Sequence, residues 1–180
     1  MTNNADTLSK FLSYILRHEP QSINLTLDNE GWANIDELIR LANAAGQDVA
    51  REQILEIVAS SDKKRFTLSD DEAHIRAAQG HSLKTVAIDF AEQQPPATLL
   101  HGTALKNIEA IKLKGLIAGQ RQYVHLTEIS DTAKATGIRY GKPIILTIDS
   151  LIMYQDGFKF FLSDNEVWLT EHVPVKYIGF

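Results

Sequence analysis

Two adjacent prolines, Pro95 and Pro96, interrupt the chain close to its middle. They end the polar stretch 92–96, and because proline disrupts both helical hydrogen bonding and sheet ladders, no helix or strand is expected to continue through it. The 180 residues are enough for one ordinary domain or two small ones. We therefore expect two domains, one over residues 1–92 and the other over residues 97–180.

The overall composition excludes several classes of protein. Hydrophobic residues make up 44% of the chain and charged residues 23%, which is typical of a globular protein and not of a disordered or fibrous one. The absence of cysteine excludes disulfide frameworks, thiolate metal sites and a cysteine nucleophile. No apolar run approaches the roughly 18 residues of a membrane span, and the start lacks a signal-peptide pattern. We expect a cytoplasmic protein that does not bind membranes.

The first half of the chain has the periodicity of three short helices followed by a hairpin. Apolar residues recur at helical spacing over residues 8–16, 35–42 and 54–58. Asn34 and Asp48 are expected to cap the second and third helices. Two strand-like runs, 65–69 and 73–78, follow on either side of an acidic turn. This order predicts a winged helix, a module that binds nucleic acids or proteins.

The second half is rich in strands. The run from Pro143 to Ile148 is apolar and β-branched, as buried strands are. Further strands are expected over residues 98–101, 123–127, 158–162, 167–170 and 175–180. One helix is expected to end at Gly115 and another to cover residues 131–139. The chain as a whole is therefore predicted to be α+β.

The charge of the chain is acidic and unevenly distributed. Lys and Arg number 18 and Asp and Glu 23, which gives a formal net charge of −5. Residues 1–96 contain nine basic and fifteen acidic residues, whereas residues 97–180 contain nine and eight. This balance argues against a protein that coats nucleic acid through many phosphate contacts.

Common nucleotide and metal motifs are missing from the sequence. The ten glycines never occur as Gly-x-Gly, and Gly141-Lys142 is followed by Pro143 where a phosphate-binding loop requires Ser or Thr. The six histidines include no pair at i, i+4 around a glutamate, so a zinc hydrolase is not indicated. Four polar segments remain: Arg17-His18, Gln79-Gly80-His81-Ser82, His101-Gly102-Thr103 and Arg121. Each has an ordinary structural explanation when taken alone.

Taken together and in order, short segments of the chain resemble the RNA 2′-phosphotransferase family. The resemblance spans residues 8–177 and rests on seven segments: Leu16-Arg17-His18, Asn29-Glu30-Gly31-Trp32, Lys64-Arg65-Phe66, residues 75–82, His101-Gly102-Thr103, Val124-His125-Leu126-Thr127 and Val167-Trp168-Leu169-Thr170. The resemblance implies an N-terminal winged-helix lobe and a C-terminal ADP-ribosyltransferase-like lobe with a mixed sheet.

The resemblance also implies an activity. Members of the family remove an internal 2′-phosphate from RNA, such as that left at a tRNA splice junction, by transferring it to NAD+. The reaction proceeds through a 2′-phospho-ADP-ribosylated RNA, and its products are 2′-hydroxyl RNA, ADP-ribose 1″,2″-cyclic phosphate and nicotinamide. NAD+ is thus consumed as a co-substrate. No metal is expected, and a monomer is sufficient.

Several residues receive roles from the same resemblance. The essential Arg-His-Arg-Arg set of the family falls on Arg17, His18, Arg65 and Arg121. NAD contacts are implied for His101, Gly102, Thr103, His125, Leu126 and Thr127, although a serine is more usual at position 127. Arg76, Gln79 and His81 are expected to contact RNA or to lie at the interface of the lobes. The family lacks the catalytic glutamate of other ADP-ribosyltransferases; Val167 lies at its position, and the preceding Glu166 is given no role.

The chemistry accounts for this choice of residue types. A phosphomonoester with a charge of about −1.5 to −2 must be held beside the pyrophosphate of NAD+. Arginine offers a permanently charged planar fork for this purpose, which lysine does not. We expect His18 to act in positioning or proton transfer, and Arg121 mainly in the second step, in which the ribose 2″-hydroxyl attacks the phosphate.

Two other functions are compatible with the sequence. The chain could be an ADP-ribosyltransferase that modifies terminal phosphates of nucleic acids and stops after the first step. Alternatively, it could be a winged-helix nucleic-acid binder whose second half has no activity. The intact set of three arginines and one histidine favours the phosphotransferase, because a binder has no need of it. The physiological RNA is not indicated.

Overall fold

The computed structural model describes residues 2–60 and 64–180 and divides into two compact units between Asp89 and Phe90. The division precedes the polar stretch 92–96 because this stretch packs on the second unit. Glu92 bridges to Phe161, and the carbonyl of Pro96 accepts a hydrogen bond of 2.7 Å from the hydroxyl of Ser150. The two prolines therefore lie at the start of the second unit and are not part of a free linker.

In the described residues of the first unit, 2–60 and 64–89, there are three α-helices, a short 3₁₀ helix (Pro20–Ile23) and a small antiparallel sheet. The helices are α1 (Thr2–Arg17), α2 (Ile35–Ala44) and α3 (Arg51–Ser60), and the strands are β1 (Ala33–Asn34), β2 (Phe66–Leu68) and β3 (His74–Ala77). The strand order is β1-β3-β2, so the predicted hairpin is extended by a two-residue strand that comes directly before α2. This order of elements confirms the expected three helices and hairpin.

One predicted helix cap is confirmed and the other is wrong. The side-chain oxygen of Asn34 accepts a hydrogen bond of 3.0 Å from the amide of Glu37 and caps α2. Asp48 lies too early to cap α3, which begins at Arg51. There the amide of Ala50 donates to the side-chain oxygen of Gln53 at 2.7 Å, so a residue inside the helix satisfies the free amide.

The core of the first unit fixes the C-terminal end of α1. Leu12, Ile15 and Leu16 are fully buried and form part of one hydrophobic cluster with residues of all three helices and the sheet. Burying side chains of this size stabilises the fold by about 1.5 to 3 kcal/mol each. The residues that follow, Arg17 and His18, are consequently held at a defined position at the end of the helix.

The second unit contains three helices and eight short strands. The helices are α4 (Ile108–Lys114), α5 (Ser130–Ile138) and α6 (Ser150–Gln155). The strands are β4 (Leu99–Ala104), β5 (Leu116–Ile117), β6 (Val124–Leu126), β7 (Pro143–Ile148), β8 (Phe161–Leu162), β9 (Trp168–Thr170), β10 (His172–Val173) and β11 (Ile178–Gly179). They form sheets of order β11-β7-β4, β6-β9-β8 and β10-β5, and a bridge between Leu100 and Thr127 joins the first two.

The expected mixed sheet is not present: within residues 2–60 and 64–180, every pair of strands is antiparallel. Two expected strands are also shorter than their apolar runs. Only Phe161–Leu162 of residues 158–162 forms a strand, although Phe160 is fully buried. Residues 175–177 form a 3₁₀ turn before β11. The chain is thus α+β, with helices and antiparallel strands in both units.

In the part of the chain that the structure describes, no helix has the length and apolar character that a membrane crossing requires.

Candidate functional site

Three segments that are distant in sequence meet at the C-terminal end of α1. The carbonyl of Arg17 accepts a hydrogen bond of 3.0 Å from the amide of Ser82, which lies in the loop after β3. The guanidinium of Arg17 (Nη2) donates to the carbonyl of Arg65, just before β2, at 3.4 Å. The structure therefore brings together Arg17, His18 and Arg65, three of the four residues of the predicted catalytic set.

His18 and Arg65 are each held by a serine that was not predicted as a site residue. Nδ1 of His18 lies 2.9 Å from the hydroxyl oxygen of Ser82. Nη1 of Arg65 donates at 2.9 Å to the hydroxyl of Ser9, a buried residue of α1. Both serines lie in parts of the chain that carry the family resemblance, Ser9 in the Leu-Ser-Lys-Phe-Leu helix before Leu16-Arg17-His18 and Ser82 in residues 75–82, but the resemblance gave neither a role. These contacts restrain both side chains before any substrate is bound.

Arg76 and Gln79 belong to the same unit. The guanidinium carbon of Arg76 lies 4.5 Å from the ring centroid of Trp32, a cation–π contact that fixes the orientation of the arginine. The side-chain oxygen of Gln79 and Nε2 of His81 are buried, and neither has a hydrogen-bond partner among residues 2–60 and 64–180. Buried polar atoms without partners are costly and rare, and they are frequent at functional sites.

His81 is a neutral residue in a basic environment. Its side chain is only 3% exposed, and burial, followed by the charges of Arg17, Arg76 and His18, lowers its pKa to about 4. Its Nε2 lies against Gly31, where an added Cβ would be 3.0 Å away and where φ is +82°. His81 therefore packs against the loop at residue 31 and adds no positive charge near neutral pH.

This histidine makes folding of the first unit sensitive to acid. Because its folded pKa is about 4 and its unfolded value is 6.5, the unfolded chain binds more protons between these limits, and stability is lost as pH falls from 6.5 towards 4. We expect the unfolding free energy of the first unit to be about 2 kcal/mol lower at pH 5 than at pH 7. Urea unfolding followed by Trp32 fluorescence in a Trp168→Phe background measures this difference.

The matched variants are His81→Asn, which does not titrate, and His172→Asn, which removes an exposed histidine of the second unit. His81→Asn should remove most of the difference between pH 5 and pH 7, whatever its effect on stability at pH 7. His172→Asn should keep the difference. A pH dependence that His81→Asn leaves unchanged would contradict the assignment.

In the second unit, His101, Gly102 and Thr103 lie in the middle of β4. An added Cβ on Gly102 would be 1.7 Å from the carbonyl oxygen of Ala133 in α5. Gly137 of α5 is similarly close to the carbonyl of Thr103, at 2.5 Å. Gly102 thus has a packing role: it lets α5 lie directly on β4. The family resemblance had implied only an NAD contact for Gly102.

We expect Gly102→Ala to lower the unfolding free energy of the second unit by at least about 3 kcal/mol, because a helix backbone must move to admit the methyl group. Trp168 fluorescence during urea unfolding, in a Trp32→Phe background, reports on this unit. Gly119→Ala is the control. Its Cβ meets no atom within 4 Å, so only its φ of +67° makes it unfavourable, by about 1 kcal/mol. Equal losses for the two variants would refute the packing role.

A chain of hydrogen bonds connects Arg121, His125 and His101. Nη1 of Arg121 lies 2.7 Å from Nδ1 of His125, and Nδ1 of His101 donates to the carbonyl of His125 at 3.0 Å. Burial lowers the pKa of His101, and the bond to the carbonyl opposes this effect. His101 is therefore a neutral imidazole with its proton on Nδ1, which leaves Nε2 as an acceptor.

His101 and Thr103 also line a cavity of about 330 Å³ in the second unit. Its other lining residues are Asn107, Ala110, Ile111, Lys114, Gly115, Leu116 and Ile117. The amide of Asn107 donates to the hydroxyl oxygen of Thr103 at 3.1 Å. Asn107 and Lys114 were not predicted, because a single polar residue on a short helix has no distinguishing pattern. The wall of the cavity thus has apolar surface and four polar groups: the imidazole of His101, the hydroxyl of Thr103, the side-chain amide of Asn107 and the ammonium group of Lys114.

The remaining predicted residues of this unit have mainly structural surroundings. Leu126 is buried in the core opposite Trp168. The hydroxyl oxygen of Thr127 accepts from the amide of Ile129 at 3.1 Å. Glu166 is exposed in the turn between β8 and β9, with a φ of +61°. In the described ranges, 2–60 and 64–180, no three His, Asp or Glu residues are grouped so that they could hold a metal ion.

The predicted catalytic residues thus fall into two groups, with Arg17, His18 and Arg65 in the first unit and Arg121 in the second. In the first group, guanidinium groups and an imidazole are suited to bind and protonate a phosphate ester. In the second, Arg121 contacts His125, and the carbonyl of His125 accepts from His101, which lines a polar cavity.

Comparisons with known proteins agree on one family. Residues 3–172 match the model of the "RNA 2'-phosphotransferase, Tpt1 / KptA family". The chain is 50% identical to a "Probable RNA 2'-phosphotransferase" of Pseudomonas syringae pv. tomato, over 96% of this chain and 92% of the relative. It is 54% identical to a protein of the same description from Pseudomonas fluorescens (94% and 93%) and 51% identical to one from Escherichia coli O45:K1 (97% and 89%).

Proposed function

Because the chain belongs to the RNA 2′-phosphotransferase family, we propose that it removes an internal 2′-phosphate from RNA by transferring it to NAD+. The products would be 2′-hydroxyl RNA, ADP-ribose 1″,2″-cyclic phosphate and nicotinamide. The observation that carries the proposal is the grouping of Arg17, His18 and Arg65, joined by hydrogen bonds between segments more than 40 residues apart. Such a group provides the charge and the proton donor that phosphate transfer requires.

The two units would divide the substrates between them. We assign RNA binding to the first unit, whose three helices and sheet of order β1-β3-β2 support a winged-helix lobe. We assign NAD+ to the second unit as an ADP-ribosyltransferase-like lobe. The expected RNA is one with a tRNA splice junction or a similar internal 2′-phosphate, the expected location is the cytoplasm, and one copy of the chain would suffice.

The cavity of the second unit fits the chemistry of NAD+. A dinucleotide presents ribose hydroxyls, phosphates and flat apolar rings, and the cavity wall offers partners for each. Nε2 of His101 can accept from a hydroxyl, Lys114 can neutralise phosphate, and Ile111 and Leu116 provide apolar surface. When bound, NAD+ would supply an anomeric carbon with a good leaving group, since nicotinamide departs as a neutral molecule.

In the first step, Arg17 and Arg65 would hold the RNA 2′-phosphate so that one of its oxygens attacks this anomeric carbon. The bond to nicotinamide breaks, and its electron pair passes to the ring nitrogen, so no proton is needed. The contribution of the arginines is to orient the phosphate and to offset its charge next to a second anion. Their restraint by Ser9 and by the carbonyl of Arg65 lowers the entropy lost on binding.

In the second step, the ribose 2″-hydroxyl attacks phosphorus, and the bond from phosphorus to the RNA 2′-oxygen breaks. The hydroxyl loses a proton and the RNA oxygen gains one. We assign proton transfer at the RNA oxygen to His18 and stabilisation of the charge on the phosphoryl oxygens to Arg121. We assign Arg76, Gln79 and His81, which lie in the first unit, to contacts with the RNA.

The direct test is incubation of the purified protein with NAD+ and a short RNA bearing one internal 2′-phosphate. We expect stoichiometric release of nicotinamide, loss of the phosphate from the RNA and appearance of ADP-ribose carrying a cyclic phosphate, all detectable by mass spectrometry. Retention of ADP-ribose on a terminal phosphate would indicate an ADP-ribosyltransferase instead. Tight RNA binding by folded protein without any NAD+ consumption would indicate a binder and would refute the proposal.

A further inference from the structure

The contact between Arg121 and His125 has a defined donor and acceptor. Arginine has only N–H groups and no acceptor, so in the 2.7 Å contact Nη1 of Arg121 donates and Nδ1 of His125 accepts. Nδ1 can accept only when it carries no proton. The ring of His125 is consequently neutral in this arrangement, with its proton on Nε2, whereas His101 has its proton on Nδ1 because it donates to a carbonyl.

The two partners differ in how firmly the fold holds them. His125 lies in β6, where it pairs with Leu169 of β9, and its carbonyl accepts the bond from His101. Arg121 is exposed in the preceding segment, where its amide bonds to the carbonyl of Ala118 at 3.2 Å. An exposed arginine samples many rotamers, and one strong contact to a fixed imidazole removes most of this freedom.

We propose that His125 is a positioning residue for Arg121: its Nδ1 holds the guanidinium in the orientation that the second step of phosphate transfer needs. The inference rests on the proposed function, which assigns that step to Arg121. In this role, Nδ1 of His125 orients an arginine, in addition to the NAD contact that the resemblance implies for His125.

Three substitutions of His125 separate the two ring nitrogens. The side-chain oxygen of asparagine lies near the place of Nδ1, whereas the longer glutamine brings its amide near the place of Nε2, and leucine offers neither. Single-turnover reactions with NAD+ and the 2′-phosphorylated RNA would follow the ADP-ribosylated intermediate over time. His125→Leu and His125→Gln should slow conversion of the intermediate by about tenfold or more, with a smaller change for His125→Asn.

Further controls separate positioning from cofactor binding and from general damage. His172→Leu removes an exposed histidine of β10 and should behave as the wild type. Arg121→Ala combined with His125→Leu should be no slower than Arg121→Ala alone, because the second change then has no arginine to act on. An increase of the KM for NAD+ in His125→Leu, without a slower second step, would overturn the inference. A variant pattern in which His125→Gln keeps its activity while His125→Asn loses it would also overturn the inference.

The tautomer of His125 can be measured without any activity. Imidazole ¹⁵N chemical shifts in the labelled wild-type protein should show an unprotonated Nδ1 and a protonated Nε2 for His125, and the opposite for His101. Arg121→Ala should reduce this preference for His125 and leave His101 unchanged. A proton on Nδ1 of His125 in the wild type would refute the inference. The expected tautomer in a protein without transfer activity would instead refute the proposed function, and with it the catalytic part of the inference.

Discussion

Arg17→Ala is expected to slow the release of nicotinamide from NAD+, in the presence of 2′-phosphorylated RNA, by about a hundred- to a thousandfold. The guanidinium of Arg17 belongs to the first group of proposed catalytic residues and also bonds to the carbonyl of Arg65. Its loss removes charge that offsets the phosphate and loosens the segment that carries the second arginine. Chromatographic quantification of nicotinamide over time measures this rate.

Two comparisons make this result specific. Arg17→Lys keeps the charge but not the fork of donors, so it should recover only part of the rate. Arg40→Ala removes an exposed arginine of α2, which is paired with Glu37 at 3.9 Å, and should leave the rate unchanged. If Arg17→Ala kept nicotinamide release within a few-fold of the wild type, a role for Arg17 in the first step would be untenable.

Arg121→Ala is expected to give an enzyme that completes the first step of the reaction but not the second. Nicotinamide should still be released, but the RNA should accumulate with ADP-ribose on its 2′-phosphate, because the second step would be slowed about a hundredfold or more. Mass spectrometry of the RNA after a single turnover distinguishes this product from both the substrate and the 2′-hydroxyl form. Abolition of all NAD+ consumption in this variant would show that Arg121 acts in the first step instead.

Arg139→Ala is the matched control for this prediction. Arg139 is an exposed arginine of the same unit, at the C-terminal end of α5. Its removal changes the net charge by the same amount and should leave both steps intact. A similar accumulation of the intermediate in both variants would trace the effect to overall charge and not to the position of Arg121.

The helices and longer strands were predictable because their side chains are buried in a regular pattern. The stripe from Leu8 to Leu16 lies on the buried face of α1, and the strand from Pro143 to Ile148 was predicted with its observed bounds. Two-residue strands such as β5 and β10 contain no period to recognise. Residues 158–160 show the opposite error, because an apolar run can be buried without forming a strand.

The predicted site residues came from the family resemblance, and their supporting partners came only from the structure. The bond from Arg65 to Ser9 spans 56 positions and that from His18 to Ser82 spans 64, so neither pair is adjacent in any local pattern. Gly102 shows a different difficulty. The resemblance implied an NAD contact for Gly102, whereas in the structure the absence of a side chain at this position lets α5 pack directly on β4.

The cluster of Arg17 and His18 lies at the C-terminal end of a helix, where the backbone carbonyls carry partial negative charge. Many phosphate sites use the opposite end of a helix and its free amides. At this end the negative partial charge of the helix stabilises the charged Arg17 and His18 side chains but repels a bound anion. The net attraction of an anion to the site therefore depends on how many negative charges the anion carries. A phosphomonoester carries up to two negative charges and a cyclic phosphodiester only one. Such a site would retain its substrate more strongly than its product, which would favour turnover.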